Sequence, residues 1–273
     1  MTWLEAVVLG VVQGLTEFLP ISSTAHLRIV PALLGWDDPG AAYSAVIQLG
    51  TVVAVLAYFW KDIIKLTRGF VQGLIARQPF GTEDSRLAWY VGLGTVPIVV
   101  AGLLFKHAIK TSLRSLYVIA ASLIILAIVL FLVERVASHK RVLAELTLRD
   151  GLIIGLWQAL ALIPGSSRSG TTITGGLSLG LRREDAARYS FLLSIPATTA
   201  AGLLELKEFF EAATRPSTSA LVVGTVVSFL TGLAAISGLL RFLRSRSMLV
   251  FVVYRIVLGV LLLGLLSAGV LQP

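Results

Sequence analysis

The chain has 273 residues, of which 56% are hydrophobic and 14% charged, and it carries a formal net charge of +8. A soluble domain carries roughly 25% charged residues. A mean hydropathy of +0.88 indicates more apolar surface than a domain of this size can bury away from water, so lipid must cover it. The absence of cysteine excludes disulfides, thiol nucleophiles and cysteine-ligated metals, and three histidines are too few for a multi-histidine metal cage.

Six apolar segments are each near the ~20 residues that a helix needs to cross a bilayer. They lie at 41–60, 88–105, 116–133, 189–206, 219–240 and 248–270. Two further apolar regions, 3–34 and 151–181, are interrupted at 20–24 and 164–170 by sequences that begin with proline. Proline ends a helix because it lacks an amide donor and clashes with the preceding turn. We therefore predict an all-α membrane domain over the whole chain, with six transmembrane helices and two re-entrant helix–loop–helix hairpins, whose irregular backbone must lie inside protein or beside a water-filled cavity.

The basic residues predict the orientation in the membrane. If both hairpins return to the side from which they enter, 15 of the 23 Lys and Arg residues fall on one side and six on the other. The larger group is Lys61, Lys65, Arg68, Arg77, Arg86, Arg135, Lys140, Arg141, Arg149, Arg182, Arg183, Arg188, Arg241, Arg244 and Arg246. The smaller group is Arg28, Lys106, Lys110, Arg114, Lys207 and Arg215. The positive-inside rule then places both termini and the first hairpin outside, with the second hairpin entering from the cytoplasm. Cations scattered over loops in this way predict no nucleic-acid partner.

The two halves of the chain resemble each other. Residues 8–15 align with 153–160, and after one deletion 20–23 align with 164–167. Each half contains one hairpin and three spans, an odd number, so the halves are inverted relative to each other. They extend over about 1–134 and 150–273. Inverted repeats with broken helices usually place their binding site near the membrane midplane, where the breaks meet.

The first hairpin contains polar residues that suit a functional site. Gln13 and Glu17 are four residues apart and share one helix face. A carboxylate at membrane depth costs at least ~2.5 kcal/mol and needs a partner or a cavity. The polar residues after the break are Ser22, Ser23, Thr24 and His26. Three successive hydroxyls exceed what a helix N-cap requires. Glu17 is either a neutral structural residue or part of a site, and its neighbours favour a site.

The second hairpin has the composition of an anion site. Its polar residues are Ser166, Ser167, Arg168, Ser169 and Thr172. Arg168 at membrane depth requires an anionic partner, and its planar guanidinium matches phosphate oxygens. The half-helix that follows points its positive end at the loop, which also suits phosphate. The alternative is a structural ion pair between Arg168 and Glu17. The anion site and the ion pair are compatible if the pair forms in the empty site and opens for substrate. Arg255 also lies within an apolar span, but a single snorkelling arginine is weak evidence of function.

Two stretches of this sequence resemble the signatures of a known family. QGLTEFLPISSTAH at 13–26 and PGSSRSGTT at 164–172 resemble the first and second signatures of the bacterial undecaprenyl-diphosphate phosphatases, also called bacitracin-resistance proteins. The likeness extends through nearly the whole chain, including the order of the spans. The family has Glu or Gln at the position of Gln13, so Gln here leaves Glu17 as the only carboxylate on that face. This weakens any metal site built from two carboxylates.

The resemblance implies hydrolysis of undecaprenyl diphosphate to undecaprenyl phosphate and inorganic phosphate at the bacterial plasma membrane. That reaction recycles the lipid carrier for peptidoglycan and other envelope polymers, and it opposes bacitracin, which sequesters the diphosphate. The family also implies a divalent cation, Mg²⁺ or Ca²⁺. Glu17 is one candidate ligand, and carriage of the metal by the diphosphate is the other. The expected partners are the lipid substrate and membrane lipid, and the sequence leaves open whether the chain forms a homo-oligomer.

The same resemblance assigns roles to the polar residues. The expected catalytic residues are Glu17, Ser23, His26 and Arg168, and the expected substrate-binding residues are Gln13, Ser22, Thr24, Ser166, Ser167, Ser169 and Thr172. Ser23 is the expected nucleophile, although direct attack by water is equally compatible with the sequence. The sequence does not decide which of Glu17 and His26 is the base.

Two other functions are weighed against hydrolysis. Inverted repeats and broken helices are typical of transporters, so a polyprenyl-phosphate flippase with the same pocket is the main alternative. A phosphatase of the acid-phosphatase-like superfamily would require a Pro-Ser-Gly-His motif, which is absent from this chain.

Overall fold

The computed structural model of the protein describes residues 1–110, 113, 115–211 and 217–271. Every secondary-structure element assigned in these ranges is a helix, which confirms the predicted all-α class. The helices are α1 Trp3–Phe18, α2 Ser23–Leu34, α3 Gly40–Tyr58, α4 Trp60–Ile75, α5 Glu83–Leu104, α6 Lys106–Lys110, α7 Leu116–Val136, α8 Leu148–Ala159, α9 Arg168–Ser178, α10 Arg183–Glu211, α11 Thr218–Leu243 and α12 Leu249–Ser267. Arg114 and Arg215, two of the cations counted in the topology prediction, lie outside the described residues.

Both predicted helix breaks are present. α1 and α2 are separated at Pro20, and α8 and α9 at Pro164. A serine caps the second helix of each pair: the hydroxyl of Ser22 accepts a hydrogen bond from the amide of the third residue after it, and that of Ser167 does the same. Such a cap satisfies amides that the first helical turn leaves unpaired. The second helices therefore begin at Ser23 and Arg168, before the predicted breaks end at 24 and 170.

Ser22 and Ser167 occupy equivalent positions in the two broken pairs. Both have a left-handed backbone, with φ of 77° and 68°. They are 145 residues apart, the same interval that separates Gln13 from Gln158. The deletion assumed in aligning the two halves is therefore wrong, and the counterpart of Ser167 is Ser22 rather than Ser23. Matching residue types favoured the alignment of Ser23 with Ser167, whereas backbone conformation and capping identify Ser22 as the equivalent position.

Each of the six predicted spans coincides with one helix: α3, α5, α7, α10, α11 and α12. Four of these, α5, α7, α11 and α12, are long and apolar enough to cross a membrane, and a fifth is counted if α3 and α4 form one span broken by 74°. This set of helices is that of a multi-pass integral membrane protein. The residues after position 60 were expected as a loop, which is wrong because they form α4. Its cations at 61, 65 and 68 are spaced for one helix face rather than for a flexible connection.

The first helix of each broken pair packs closely against a helix from the other half of the chain. A Cβ atom on Gly14 of α1 would lie 1.8 Å from Thr231 Oγ1 and 2.7 Å from the carbonyl oxygen of Ser228 in α11. A Cβ atom on Gly155 of α8 would lie 2.3 Å from the carbonyl oxygen of Gly94 in α5. Small residues permit this approach of two backbones. The contacts hold α1 and α8 against the other half and so help to set where the two breaks lie.

Substituting Gly155 with alanine is expected to destabilise the protein, because the new methyl group would meet backbone, which cannot rotate away. Overpacking of this kind costs about 1–3 kcal/mol. Gly92→Ala in α5 is the matched control, since a Cβ atom there has nothing within 4 Å. Thermal unfolding in detergent measures both, and equal midpoints for the two variants would contradict the proposed contact.

Candidate active site

Glu17 lies at the centre of the candidate site, in the last turn of α1. Its carboxylate accepts hydrogen bonds from four side chains: Gln13 Nε2 at 3.1 Å, Ser23 Oγ at 2.8 Å, Gln48 Nε2 at 3.3 Å and Arg168 Nη2 at 2.9 Å. Four donors around one carboxyl group form the environment of an ionised carboxylate, which only accepts. The geometry therefore favours an ionised Glu17 over the neutral structural residue considered from the sequence.

The ion pair between Arg168 and Glu17 joins the two helix breaks. Its N–O distance is 2.9 Å, and the two side chains are only 11% and 6% exposed. Because removing charges from water is costly, each charge at this depth requires the other or a substitute for it. Arg168 Nη1 is buried and has no hydrogen-bond partner among the described residues. Buried donors are rarely left unpaired, so Nη1 is available to an anionic ligand.

Ser23 opens α2 with its hydroxyl directed at the carboxylate. Ser23 Oγ donates to Glu17 Oε2, and the side chain remains partly exposed. A hydroxyl hydrogen-bonded to a base is the arrangement of an activated nucleophile. The neighbouring hydroxyls serve local structure: Ser22 Oγ lies 3.1 Å from Thr24 Oγ1 and caps the helix. Thr24 is exposed at the edge of the site.

The second loop contacts the first through a serine. Ser169 Oγ donates to the carbonyl oxygen of Leu19 at 3.0 Å, so the two breaks touch at a second point besides the ion pair. Ser167 Oγ accepts from the amide of Gly170 at 3.1 Å. The hydroxyl of Ser166 is buried without a partner in the described part of the chain. It is therefore a second unused polar group, two residues before Arg168 in the sequence.

Thr172 is fully buried beyond the loop. Its hydroxyl donates to the carbonyl oxygen of Arg168 at 2.7 Å and lies 2.6 Å from the hydroxyl of Ser190 in α10. The hydroxyl of Thr172 is thus hydrogen-bonded to other groups of the protein. Thr172 therefore supports the backbone that carries Arg168.

His26 is bonded away from the Glu17 cluster. Its Nδ1 lies 2.7 Å from the carbonyl oxygen of Ser22, and its Nε2 lies 2.6 Å from the hydroxyl of Tyr254 in α12. Within the described ranges, no hydrogen bond connects His26 to Glu17 or Ser23. The structure thus brings together most of the predicted catalytic residues and places the histidine in a separate contact.

Arg255, which from the sequence alone is weak evidence of function, also lies in this region. It is fully buried in α12. Its guanidinium donates to the carbonyl oxygens of Pro20 at 3.4 Å, Ser122 at 3.3 Å, Gly165 at 3.3 Å and Ser166 at 3.0 Å. It therefore contacts both loops and α7 at once. The available signal was an arginine at membrane depth, which requires partners even when the sequence does not show them.

Comparison with known proteins identifies the family. The family model of the bacitracin resistance protein BacA matches residues 6–261. The chain belongs to the BacA family. A relative from Myxococcus xanthus named undecaprenyl-diphosphatase is 68% identical over all of this chain and 92% of its own length. Relatives with the same name from Chloroherpeton thalassium and Chlorobium chlorochromatii are 54% and 52% identical over all of this chain and 99% and 100% of their own lengths.

The donor set of this BacA-family site does not fit a resident metal ion. In the described residues, no group of three or more His, Cys, Asp and Glu side chains could hold one. The single carboxylate at the breaks, Glu17, already accepts from four donors. Mg²⁺ commonly keeps several waters and binds through one or two carboxylates together with substrate phosphates, so a single carboxylate forms no complete ligand set by itself.

Proposed function

We propose that this protein hydrolyses undecaprenyl diphosphate to undecaprenyl phosphate and inorganic phosphate. The names of relatives at 68% and 54% identity support hydrolysis and do not favour the flippase alternative. The reaction would return the lipid carrier to peptidoglycan and envelope synthesis. It would also oppose bacitracin, in accordance with the name of the family.

The observation that carries this proposal is the cluster of Glu17, Ser23 and Arg168. It combines a hydroxyl, an acceptor for the hydroxyl proton and a cation, all joined by hydrogen bonds of 2.8–2.9 Å. Phosphoryl transfer depends mainly on positioning and on stabilisation of charge around phosphorus. A buried arginine with an unpaired donor is suited to both.

In this proposal, the terminal phosphate binds to Arg168 Nη1 and Ser166 Oγ, near the N-terminus of α9. Ser23 Oγ attacks the terminal phosphorus while Glu17 takes its proton. The new Oγ–P bond forms as the bond to the bridging oxygen breaks, and undecaprenyl phosphate leaves. Water then attacks the phosphoserine, inorganic phosphate departs, and Glu17 returns its proton to Ser23. Direct attack by water is the competing mechanism, and it forms no phosphoserine.

The remaining predicted residues would support binding. Gln13 lies 3.1 Å from Glu17 and would hold the carboxylate in place. Ser22, Ser167 and Ser169 would fix the two loops around the phosphate, and Thr24 would border the entrance. A divalent cation, Mg²⁺ or Ca²⁺, would arrive on the diphosphate as part of the substrate, because the described side chains form no cage for it.

We also propose the membrane arrangement predicted from the sequence. The broken pairs α1–α2 and α8–α9 would be re-entrant hairpins, and α3, α5, α7, α10, α11 and α12 the six full spans. The distribution of cations supports termini and an active site that face the outside of the plasma membrane. The packing of α1 on α11 and of α8 on α5 supports inverted repeats over about 1–134 and 150–273.

Purified protein in detergent is expected to release inorganic phosphate from undecaprenyl diphosphate when Mg²⁺ or Ca²⁺ is present. Detergent removes the two compartments that transport requires, so release under these conditions is hydrolysis. Chelation should stop release, while metal analysis of the dialysed protein should find less than one equivalent of cation. Absence of release from folded protein supplied with metal would refute the proposed function.

A further inference from the structure

The hydrogen bonds of His26 determine which ring nitrogen carries the proton in the neutral side chain. The carbonyl oxygen of Ser22 can only accept, so Nδ1, which lies 2.7 Å from it, must be the protonated nitrogen. The same oxygen also accepts from the His26 amide at 3.3 Å, which ties the ring to the first turn of α2. Nε2 is therefore the nitrogen that can gain and lose a proton without breaking this contact.

Tyr254 contacts that second nitrogen. Its hydroxyl lies 2.6 Å from Nε2, and the two rings are nearly parallel, at 9° with centroids 5.6 Å apart. The hydroxyl donates to Nε2 when the ring is neutral and accepts from it when the ring is protonated. In the described part of the chain, it is the only hydrogen-bond partner of Nε2. Without Tyr254, the imidazole would be held by a hydrogen bond at Nδ1 alone.

This contact also separates His26 from the nucleophile. Ser23 donates to Glu17 at 2.8 Å, whereas the exchangeable nitrogen of His26 faces α12. The site therefore has two proton-handling groups, Glu17 inside the cluster and His26 outside it, with different partners. Glu17 is placed to take the proton of Ser23, and His26 is left for the proton of the water that attacks the phosphoserine.

We propose that Tyr254 is a positioning residue that acts through His26: its hydroxyl holds the imidazole so that Nε2 takes the proton of the water that attacks the phosphoserine and passes it to the departing phosphate. The inference rests on the proposed hydrolysis and adds to it a division of labour between Glu17 and His26. A purely structural hydroxyl would stabilise the folded protein, but its loss would leave turnover by the folded fraction unchanged.

Tyr254→Phe tests the inference because it removes the hydroxyl and keeps the ring. Turnover (kcat) is expected to fall about 10- to 100-fold with KM changed less than about twofold, since a general acid–base group contributes roughly 10²–10⁴-fold. The double variant Tyr254→Phe with His26→Gln is expected to be no slower than His26→Gln alone, because residues that act as a unit are non-additive. Tyr117→Phe is the matched control: Tyr117 is an exposed tyrosine of α7 whose hydroxyl bonds to no described residue.

A spectroscopic measurement on the unaltered protein keeps the test independent of folding. Nitrogen NMR of ¹⁵N-histidine-labelled protein, with the His26 signals assigned by difference from His26→Gln, is expected to show the Nδ1–H tautomer. Tyr254→Phe should move the Nε2 signal and leave Nδ1 in place. An Nε2–H tautomer in the wild type, unchanged kcat in Tyr254→Phe, or additive losses in the double variant would overturn the inference. Inactive wild-type protein would instead refute the proposed hydrolysis.

Discussion

Arg168→Ala is expected to reduce phosphate release by roughly 10³-fold or more, the range over which arginine stabilises phosphoryl-transfer transition states. The physical reason is the paired geometry of its guanidinium: Nη2 contacts Glu17 while Nη1 is buried and unused. Arg168→Lys keeps the charge and loses the planar fork, so an intermediate loss is expected. Arg244→Ala is the control, because that arginine forms an exposed pair with Glu184 and lies outside the site. Release from undecaprenyl diphosphate in detergent measures all three.

In Arg168→Ala, the loss of catalysis must be distinguished from the loss of stability that follows when a structural ion pair is broken. Removing Arg168 alone leaves Glu17 buried without its cation, which costs about 3–5 kcal/mol. The double variant Arg168→Ala with Glu17→Ala removes both charges and should therefore recover part of the thermal stability. Recovery of stability without activity is the expected result. Recovery of activity along with stability would mean that the pair is structural only.

The features of the site that could be predicted from the sequence are those fixed by local rules. Proline at 20 and 164 interrupts two apolar segments, and helices end there because a proline ring removes a donor and clashes with the preceding turn. Isolated charges in apolar segments require partners, so the contact between Glu17 and Arg168 followed from the cost of leaving either one alone. Both arguments need only a few neighbouring residues and the properties of the membrane.

The features that could not be predicted depend on tertiary packing. Gln48 lies in one apolar segment, Tyr254 and Arg255 lie in another, and the partners of all three lie far away in the sequence. The correct equivalence of Ser22 and Ser167 also depends on backbone conformation, which repeated serines obscure. These residues became interpretable only when α3 and α12 were placed against the two breaks.

Arg255→Met is expected to remove most of the folded protein. The substitution leaves the carbonyl oxygens that Arg255 contacts without that donor, and an unsatisfied buried polar group costs about 1–3 kcal/mol. Several such losses approach the whole stability of a typical domain, about 5–15 kcal/mol. The carbonyls belong to both breaks and to α7, so their separation would also displace Glu17 from Arg168. The yield of monodisperse protein and its thermal midpoint in detergent measure this effect.

Arg255→Lys separates the charge of Arg255 from its geometry. An ammonium group has three donors on one atom, so it cannot reach carbonyl oxygens on three elements as a guanidinium does. The lysine variant is expected to fold with a lowered thermal midpoint and reduced turnover, because one loop loses its attachment. Arg241→Met, at an exposed position near the end of α11, should match the wild type in both measurements. If Arg255→Met also matched the wild type, the two breaks would be held by the Arg168–Glu17 pair and the Ser169–Leu19 bond alone, and loop geometry would not depend on α12.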